Sequence, residues 1–157
     1  MTTQTIDHAK GLTGYNEWAN AKLLKAVAEA SPADLQTEIG PGAGTIAQGL
    51  RHMVNIQRWW FSVIAGTEYQ RVPPDEDPLG GLEEVFALST AEMKAFADSV
   101  TDEQMGAAVS PVWKRWQILT HLVNHSTHHR SELGRALGNL GHSPGDMDFI
   151  FYISEAG

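Results

Sequence analysis

The sequence predicts an all-α fold, namely a four-helix bundle with short connecting segments and a packed C-terminal tail. Apolar residues recur at helical spacing along four long stretches, and the alternating polarity that indicates strands is almost absent. Long amphipathic helices joined by short segments are typical of bundles. The 157 residues suit a single domain over 1–157, and a chain of this size buries about 70% of the surface that its unfolded form exposes. We therefore expect the fold not to depend on a metal.

The first two helices are predicted from their apolar period and their end signals. Along the first, the apolar positions are Leu12, Tyr15, Ala19, Leu23, Ala26 and Ala30. It should end near Ser31 and Pro32. The second should run over about 45–65 and end at Gly66, because glycine readily adopts the left-handed conformation that closes a helix. A turn-rich segment with Pro73, Pro74 and Pro78 follows.

The second half of the chain predicts two more helices. The third carries Leu82, Phe86, Met93, Phe96 and Val100, and residues 101–103 have the pattern of a cap at which a helix restarts. Residues 109–113 should be extended or irregular. The fourth helix should span about 114–140 and stop at Gly141. The tail over 146–153 is apolar enough to pack back on the body.

Composition excludes several classes of function. The formal net charge of −8 and the absence of a basic run disfavour nucleic-acid binding, which needs clustered Lys and Arg. Without cysteine, disulfides, thiolate metal sites and a cysteine nucleophile are excluded. The N-terminus lacks a signal-peptide pattern, and no window approaches the roughly 18 consecutive apolar residues of a membrane span. We therefore expect a soluble cytoplasmic protein.

The most informative motif is a histidine cluster in the fourth predicted helix, ILTHLVNHSTHHRSEL. His121, His125 and His129 form a ladder with a spacing of four, which places side chains on one helix face. A lone core histidine is explained by simple hydrogen bonds, but neighbouring imidazoles crowd each other unless an ion binds them. The pattern therefore predicts that His125 and His129 bind one metal ion, whereas His128 points about 60° away.

A third ligand must come from another helix, because a catalytic zinc-like ion takes about three protein ligands and one open position. His52 in the second helix is the best candidate, and we predict that it completes the set. His121 and Glu132 remain alternatives, and for His121 and His128 a supporting or surface role is favoured. Glu132 is more simply read as a solvated or salt-bridged residue.

Several segments together resemble the DinB/YfiT-like family of metalloproteins. The segment TGYNEWANAKLLKAVAEASPADL resembles the opening Tyr-Asn-x-Trp-x-Asn-x-x-Leu pattern of that family, and LRHMVNIQRWWF carries its second-helix histidine. The strongest match, HLVNHSTHHRSEL, resembles the family's H-x-x-x-H-R segment, and LGNLGHSPGDMDFIFYI resembles its Gly-rich stop and aromatic tail. The order and spacing of these pieces cover nearly the whole chain.

The resemblance implies a four-helix bundle, usually a homodimer, with nickel or zinc held by three histidines. These correspond to His52, His125 and His129. Some relatives are transferases or isomerases that use a low-molecular-weight thiol, and the relatives do not resemble DNA polymerases. Many relatives have Gly-Gln after the His-Arg pair, where this chain has Ser131 and Glu132.

Two functions follow. The first is a metal-dependent enzyme for a small-molecule substrate, either a thiol-dependent transferase or a hydrolase that uses metal-bound water, with Glu132, Tyr15 and Tyr152 as candidates for proton transfer. The second is a non-catalytic metal-binding or stress-response module, in which a fourth protein ligand closes the site.

Trp59 and Trp60 point about 100° apart, so one should cover a partner subunit in a homodimer or lie under the proline-rich loop.

Overall fold

The computed structural model describes residues 3–72 and 80–156, and over those residues the protein is all-α. Its α-helices, in chain order, are α1 (Thr3–Glu29), α2 (Ile46–Ala65), α3 (Leu82–Ser99), α4 (Asp102–Gly106), α5 (Arg115–Asn139) and α6 (Phe149–Ala156). A 3₁₀ turn, Asp34–Gln36, follows α1. The four predicted helices are confirmed as α1, α2, α3 and α5. The segment 73–79, with its three prolines, lies outside the described residues.

Local signals in the sequence explain where the helices begin and end. Thr45 and Gln48 form a reciprocal capping box at the start of α2, and Gly66 closes that helix with φ of 71°. The predicted restart after α3 is a second capping box, between Thr101 and Gln104, which begins the short helix α4. The tail was not predicted to be helical, but most of it forms α6, which contacts α1.

The long helices contact one another in pairs that place the candidate site. α1 contacts α3 and α5, and α2 also contacts α3 and α5. α2 and α5 run antiparallel, since Gly49 lies near Leu133 at one end and Arg115 Nε donates to the Ile64 carbonyl at 3.0 Å at the other. No helix in the described ranges 3–72 and 80–156 is long and apolar enough to cross a membrane.

Glycine allows α2 and α5 to approach closely near the histidines. A Cβ atom at Gly49 would lie 2.6 Å from Ile39 Cδ1 and 3.0 Å from Leu133 Cδ2. Those distances are too short for a carbon–carbon contact, so a side chain at this position would push against both neighbours. The backbone of α2 therefore lies close to α5 one turn before His52.

A buried polar layer divides the core into two apolar clusters. One cluster includes Leu23 of α1, Leu50 of α2 and Leu137 of α5. The other includes Tyr15 of α1, Phe61 of α2 and Leu122 of α5. Between them along the helices lie the buried polar residues of the layer, which are Asn16, Asn20, Gln57, Ser89 and Arg130. Every one of the four long helices contributes to this layer.

Arg130 is the centre of the polar layer and is only 1% exposed. Its Nη1 donates to Asn16 Oδ1 at 2.6 Å and to Asn20 Oδ1 at 2.9 Å, and its Nη2 donates to Thr127 Oγ1 at 2.9 Å. The guanidinium carbon lies 5.1 Å from the centroid of the Tyr15 ring. Burial lowers the pKa of the guanidinium from its usual value, but arginine stays charged at neutral pH.

Gln57 links α1, α2 and α3 within the same layer. Its Oε1 accepts from Asn16 Nδ2 at 2.8 Å, and its Nε2 donates to Ser89 Oγ at 2.8 Å. Buried polar groups destabilise a fold when they lack partners and help to specify its packing when they are paired. In this layer the side-chain amides and the two Nη atoms of Arg130 are paired, whereas Arg130 Nε has no partner among the described residues. The layer therefore sets how the four long helices are rotated relative to one another.

We predict that Arg130→Lys destabilises the fold by about 2–3 kcal/mol, because one ammonium cannot reproduce the fork of hydrogen bonds that binds both asparagines and Thr127. Urea unfolding followed by circular dichroism measures the change. Arg135→Lys, at an exposed position of the same helix, is the matched control and should have little effect. Equal stability of the two variants would show that the layer does not depend on the guanidinium.

Candidate metal centre

Three histidine side chains converge between α2 and α5. One nitrogen from each of His52, His125 and His129 lies within 4.8 Å of the others. The ring centroids are 4.4 Å apart for His125 and His129, 4.8 Å for His52 and His129, and 5.6 Å for His52 and His125. The structure thus brings together the three histidines that the sequence singled out.

The helix geometry explains the convergence. His125 and His129 are one turn apart on α5, so their rings share one face, and the antiparallel α2 carries His52 to the same level. His125 and His129 are half-buried, whereas His52 is exposed. The cluster therefore lies at the solvent edge of the α2–α5 contact, with one side accessible to a small molecule.

Glu132 orients His129. Its Oε2 lies 2.8 Å from His129 Nδ1, and its Oε1 lies 3.3 Å from His128 Nε2. With the proton assigned to Nδ1 by this contact, the other nitrogen of His129, Nε2, presents its lone pair to the cluster. Pairing a ligating imidazole with a carboxylate is a common way to fix its tautomer and raise its basicity.

The surroundings of His52 and His125 disfavour protonation of their imidazoles. Burial, reinforced by neighbouring histidines, lowers the pKa of His125 to about 4. Burial also lowers the pKa of His52, with His129 acting in the same direction and Glu132 in the opposite one. A metal binds only the neutral imidazole, so the lowered pKa values leave His52 and His125 neutral and able to bind a metal near neutral pH.

The donor set fits a divalent metal ion. The Nε2 atoms of His125 and His129 are 3.2 Å apart. Two nitrogens bound tetrahedrally to zinc at about 2.0–2.1 Å would be roughly 3.3 Å apart. Imidazole nitrogens suit borderline ions such as zinc and nickel. The three histidines could therefore hold one ion after a small adjustment of the exposed His52 side chain.

The other candidate residues lie around the cluster or away from it. His121 is exposed and stacks edge-on against Trp60 with centroids 5.0 Å apart, and it lies outside the three-nitrogen group. His128 is exposed, its Nε2 lies 3.3 Å from Glu132 Oε1, and its ring meets that of His129 edge to face with centroids 5.3 Å apart, but it lies outside the three-nitrogen group. Tyr15 donates to the Met147 carbonyl at 2.9 Å, and Tyr152 packs on it with centroids 6.1 Å apart. Both tyrosines therefore lie where α1 contacts the tail.

The two tryptophan rings pack on each other, with centroids 4.5 Å apart, but differ in exposure. Trp59 is 42% exposed. Trp60 is half-buried and packs on Trp113 and His121 beside the cluster. The proline-rich loop that was the alternative cover for one of them falls outside the described residues.

Sequence reasoning missed the polar residues that support the site. Arg130 and its partners Asn16 and Asn20 were not singled out, although the resemblance included the His-Arg pair and the asparagines of the opening segment. The salt-bridged interpretation of Glu132 agrees with its contacts to His128 and His129, but a spacing of three along a helix did not show that it would orient His129. The signal for Glu132 was its position one turn beyond His128 and His129.

Comparison with known proteins identifies the family. The DinB family matches residues 1–156. Protein DinB of Bacillus subtilis (strain 168) is 22% identical over 163 aligned positions, which cover 94% of this chain and 94% of that protein. No solved structure matches the chain significantly. The family match includes both helices that carry the histidine cluster.

We predict that Glu132→Gln weakens binding of zinc or nickel by about 10–100-fold, because the neutral amide no longer enhances the basicity of His129. Calorimetric titration of the metal-free protein measures the affinity. His128→Ala removes the other partner of the same carboxylate and should leave the affinity nearly unchanged. An unaltered affinity in Glu132→Gln would remove Glu132 from the site.

We also predict that the metal-free protein loses stability as pH falls from about 6.5 toward about 4. In that range the unfolded chain binds more protons at His52 and His125 than the native state does, so the free energy of unfolding decreases with decreasing pH. Urea unfolding at several pH values tests this. His125→Gln should show a shallower dependence, and an identical slope would contradict the lowered pKa of His125.

Proposed function

The chain belongs to the DinB family, and from that premise we propose that it is a metal-dependent enzyme acting on a small molecule. His52, His125 and His129 would hold one divalent ion, with nickel or zinc as the expected metal. The observation that carries the proposal is the convergence of three imidazole nitrogens within 4.8 Å at an exposed edge of the α2–α5 contact. Three ligands leave a position for water or substrate.

A thiol-dependent transfer is the reaction that we favour. A bound divalent ion would act as a Lewis acid that lowers the pKa of a thiol or water in the open position. The chain itself contributes three imidazoles, two of which, His52 and His125, have pKa values lowered by burial. It also contributes the carboxylate of Glu132, which orients His129 at 2.8 Å. The exposed side of His52 leaves room for a low-molecular-weight thiol and an electrophilic substrate.

The alternative is a non-catalytic metal-binding or stress-response module, which requires a fourth protein ligand. The contacts of the two candidates favour the open site. The carboxylate oxygens of Glu132 are engaged by His129 and His128. His121 packs against Trp60 instead of joining the three nitrogens. A metal-bound structure with four protein ligands and no water would favour the module.

We also propose that the four long helices form a four-helix bundle in a single domain over 1–157. The closed order of contacts, α1 to α3, α3 to α2, α2 to α5 and α5 to α1, supports this arrangement. The shared polar layer supports it as well, since it joins all four helices.

The homodimer remains part of the proposal, and the surface that supports it is the exposed side of α6. This helix exposes four large apolar side chains, which are Phe149, Ile150, Phe151 and Ile153. Such an exposed apolar patch marks an interaction surface more often than a free one. We therefore place the dimer contact on α6 and not on Trp60, which is half-buried within one chain.

Replacing His125 with alanine should reduce metal content well below one ion per chain, because the two remaining imidazoles cannot hold a three-ligand site. Elemental analysis of untagged protein measures the content. His121→Ala, one turn away on the same helix, is the matched control and should retain the metal. One full equivalent of metal in His125→Ala would reject the assignment.

Metal-loaded protein should accelerate addition of thiols to small electrophiles, and chelation should abolish the acceleration while helical circular dichroism is retained. The physical reason is that an ion binding only the native state adds stability to a core that is complete without it. A rate assay over a panel of thiols, with hydrolysable esters for comparison, is the measurement. Metal that binds stoichiometrically without turnover of any panel member would favour the non-catalytic module.

Sedimentation at micromolar concentration should give a species of twice the 17.2 kDa mass of one chain. Ile150→Lys should convert it to the monomer, because a charge placed in an apolar interface is costly to desolvate. Trp59→Ala is the matched control at another exposed apolar residue. A single species of monomer mass for the unaltered protein would refute the dimer.

A further inference from the structure

An aromatic pocket lies beside the histidine cluster along the α2–α5 contact. It has a volume of about 290 Å³, and the residues that line it are Trp60, Trp113, Gln117, Ile118 and His121. His121 lies one turn before His125 on α5, and Trp60 lies two turns after His52 on α2. Because the two helices are antiparallel, both steps lead in the same direction, away from the cluster and into the pocket.

Ring contacts connect the pocket to the candidate metal position. The His121 ring centroid is 6.1 Å from that of His125 and 5.0 Å from that of Trp60. Trp60 in turn meets Trp113 edge to face, with centroids 5.7 Å apart and planes at 79°. A molecule seated against His121 would thus be separated from His125 by a single imidazole.

The lining indicates what the pocket would take. Two indole rings and Ile118 supply apolar surface, and Gln117 adds one carboxamide. Among the described residues the lining contains no carboxylate, ammonium or guanidinium. Aromatic rings prefer edge-to-face and offset contacts with other rings, and Trp60 already makes two such contacts here. An uncharged aromatic group matches the chemistry of this lining, and the volume of about 290 Å³ is large enough to hold one.

We propose that this pocket binds an uncharged aromatic group of the substrate and thereby holds the reacting atom of that substrate next to the histidine cluster, an inference that rests on the proposed function. Trp113 is the residue that distinguishes the pocket from the general surface. Its side chain is 47% exposed, and its backbone is held by Val109 N donating to its carbonyl at 2.9 Å, so its side chain can be removed with little effect on the fold.

The first test uses metal-free protein and benzyl alcohol as the probe. Indole N–H resonances of the tryptophans are followed by NMR during the titration. Saturable shifts at Trp60 and Trp113, with Trp18 and Trp116 unchanged, would support the pocket. Trp113→Ala should weaken binding roughly tenfold, as expected for loss of an aromatic contact and its buried area. Trp116→Ala, at a residue 39% exposed and outside the lining, should not.

Shifts of equal size at Trp18 and Trp116 would show nonspecific adsorption and would overturn the proposal. An affinity unchanged by Trp113→Ala would overturn it too. A second copy of the chain could instead cover the pocket. In that case the Trp113 resonance would broaden with protein concentration without probe, and Trp113→Ala would abolish the dimer.

The second test asks whether the pocket affects the binding of a thiol to the metal. In nickel-loaded protein, a thiolate-to-metal absorption band reports binding of benzyl mercaptan and of ethanethiol. Trp113→Ala should raise the dissociation constant of benzyl mercaptan roughly tenfold and leave that of ethanethiol unchanged. Equal effects on both thiols would overturn the link between pocket and metal. If neither thiol gives a band, the thiol route of the proposed function fails, while the NMR titration still decides the pocket.

Discussion

The hydrogen bonds of Arg130 are the interaction on which the rest of the structure depends. The guanidinium lies at the middle of α5 and is bound by Asn16 and Asn20 of α1, while Gln57 extends the layer to α2 and α3. A buried charge is tolerated only where such partners compensate for lost hydration. Because Arg130 is adjacent to His129, anchoring it to α1 also sets the rotation of α5 and directs the histidine ladder away from the core, toward α2.

Close packing of α2 on α5 supplies the second constraint. Gly49 has no side chain, which lets the α2 backbone approach Ile39 and Leu133. One turn later the same closeness brings His52 to His125 and His129. Neither helix alone could bring three imidazole nitrogens together. Side chains on one face of a helix are spaced one turn apart along its axis, so the first and third of three would lie two turns apart. The cluster is therefore a product of helix packing at a level where the apolar core gives way to the polar layer.

Partial burial gives the cluster its chemical character. Deep burial would isolate the imidazoles from substrate, and full exposure would leave their side chains mobile. At the edge of the α2–α5 contact, burial together with the neighbouring histidines lowers the pKa of His125 to about 4, while His52 remains exposed. Glu132 adds a fixed negative charge behind His129 without entering the three-nitrogen group. The aromatic pocket lies one turn further along the α2–α5 contact, so this one pair of helices would position both the metal and the substrate.

The sequence by itself determined the long helices, their capping residues and the three histidines. Each of these depends on local spacing, which the chain shows directly at Gly66, at the restart over 101–103 and in the ladder of α5. Only the tertiary structure decided the partners of Arg130, the role of Glu132 and the pocket between Trp60 and Trp113. Those features join residues far apart in the chain, such as Asn16 with Arg130, and which pairs meet depends on the rotation and separation of packed helices. Periodicity shows which face of a helix is buried, but not which residue on the next helix will face it.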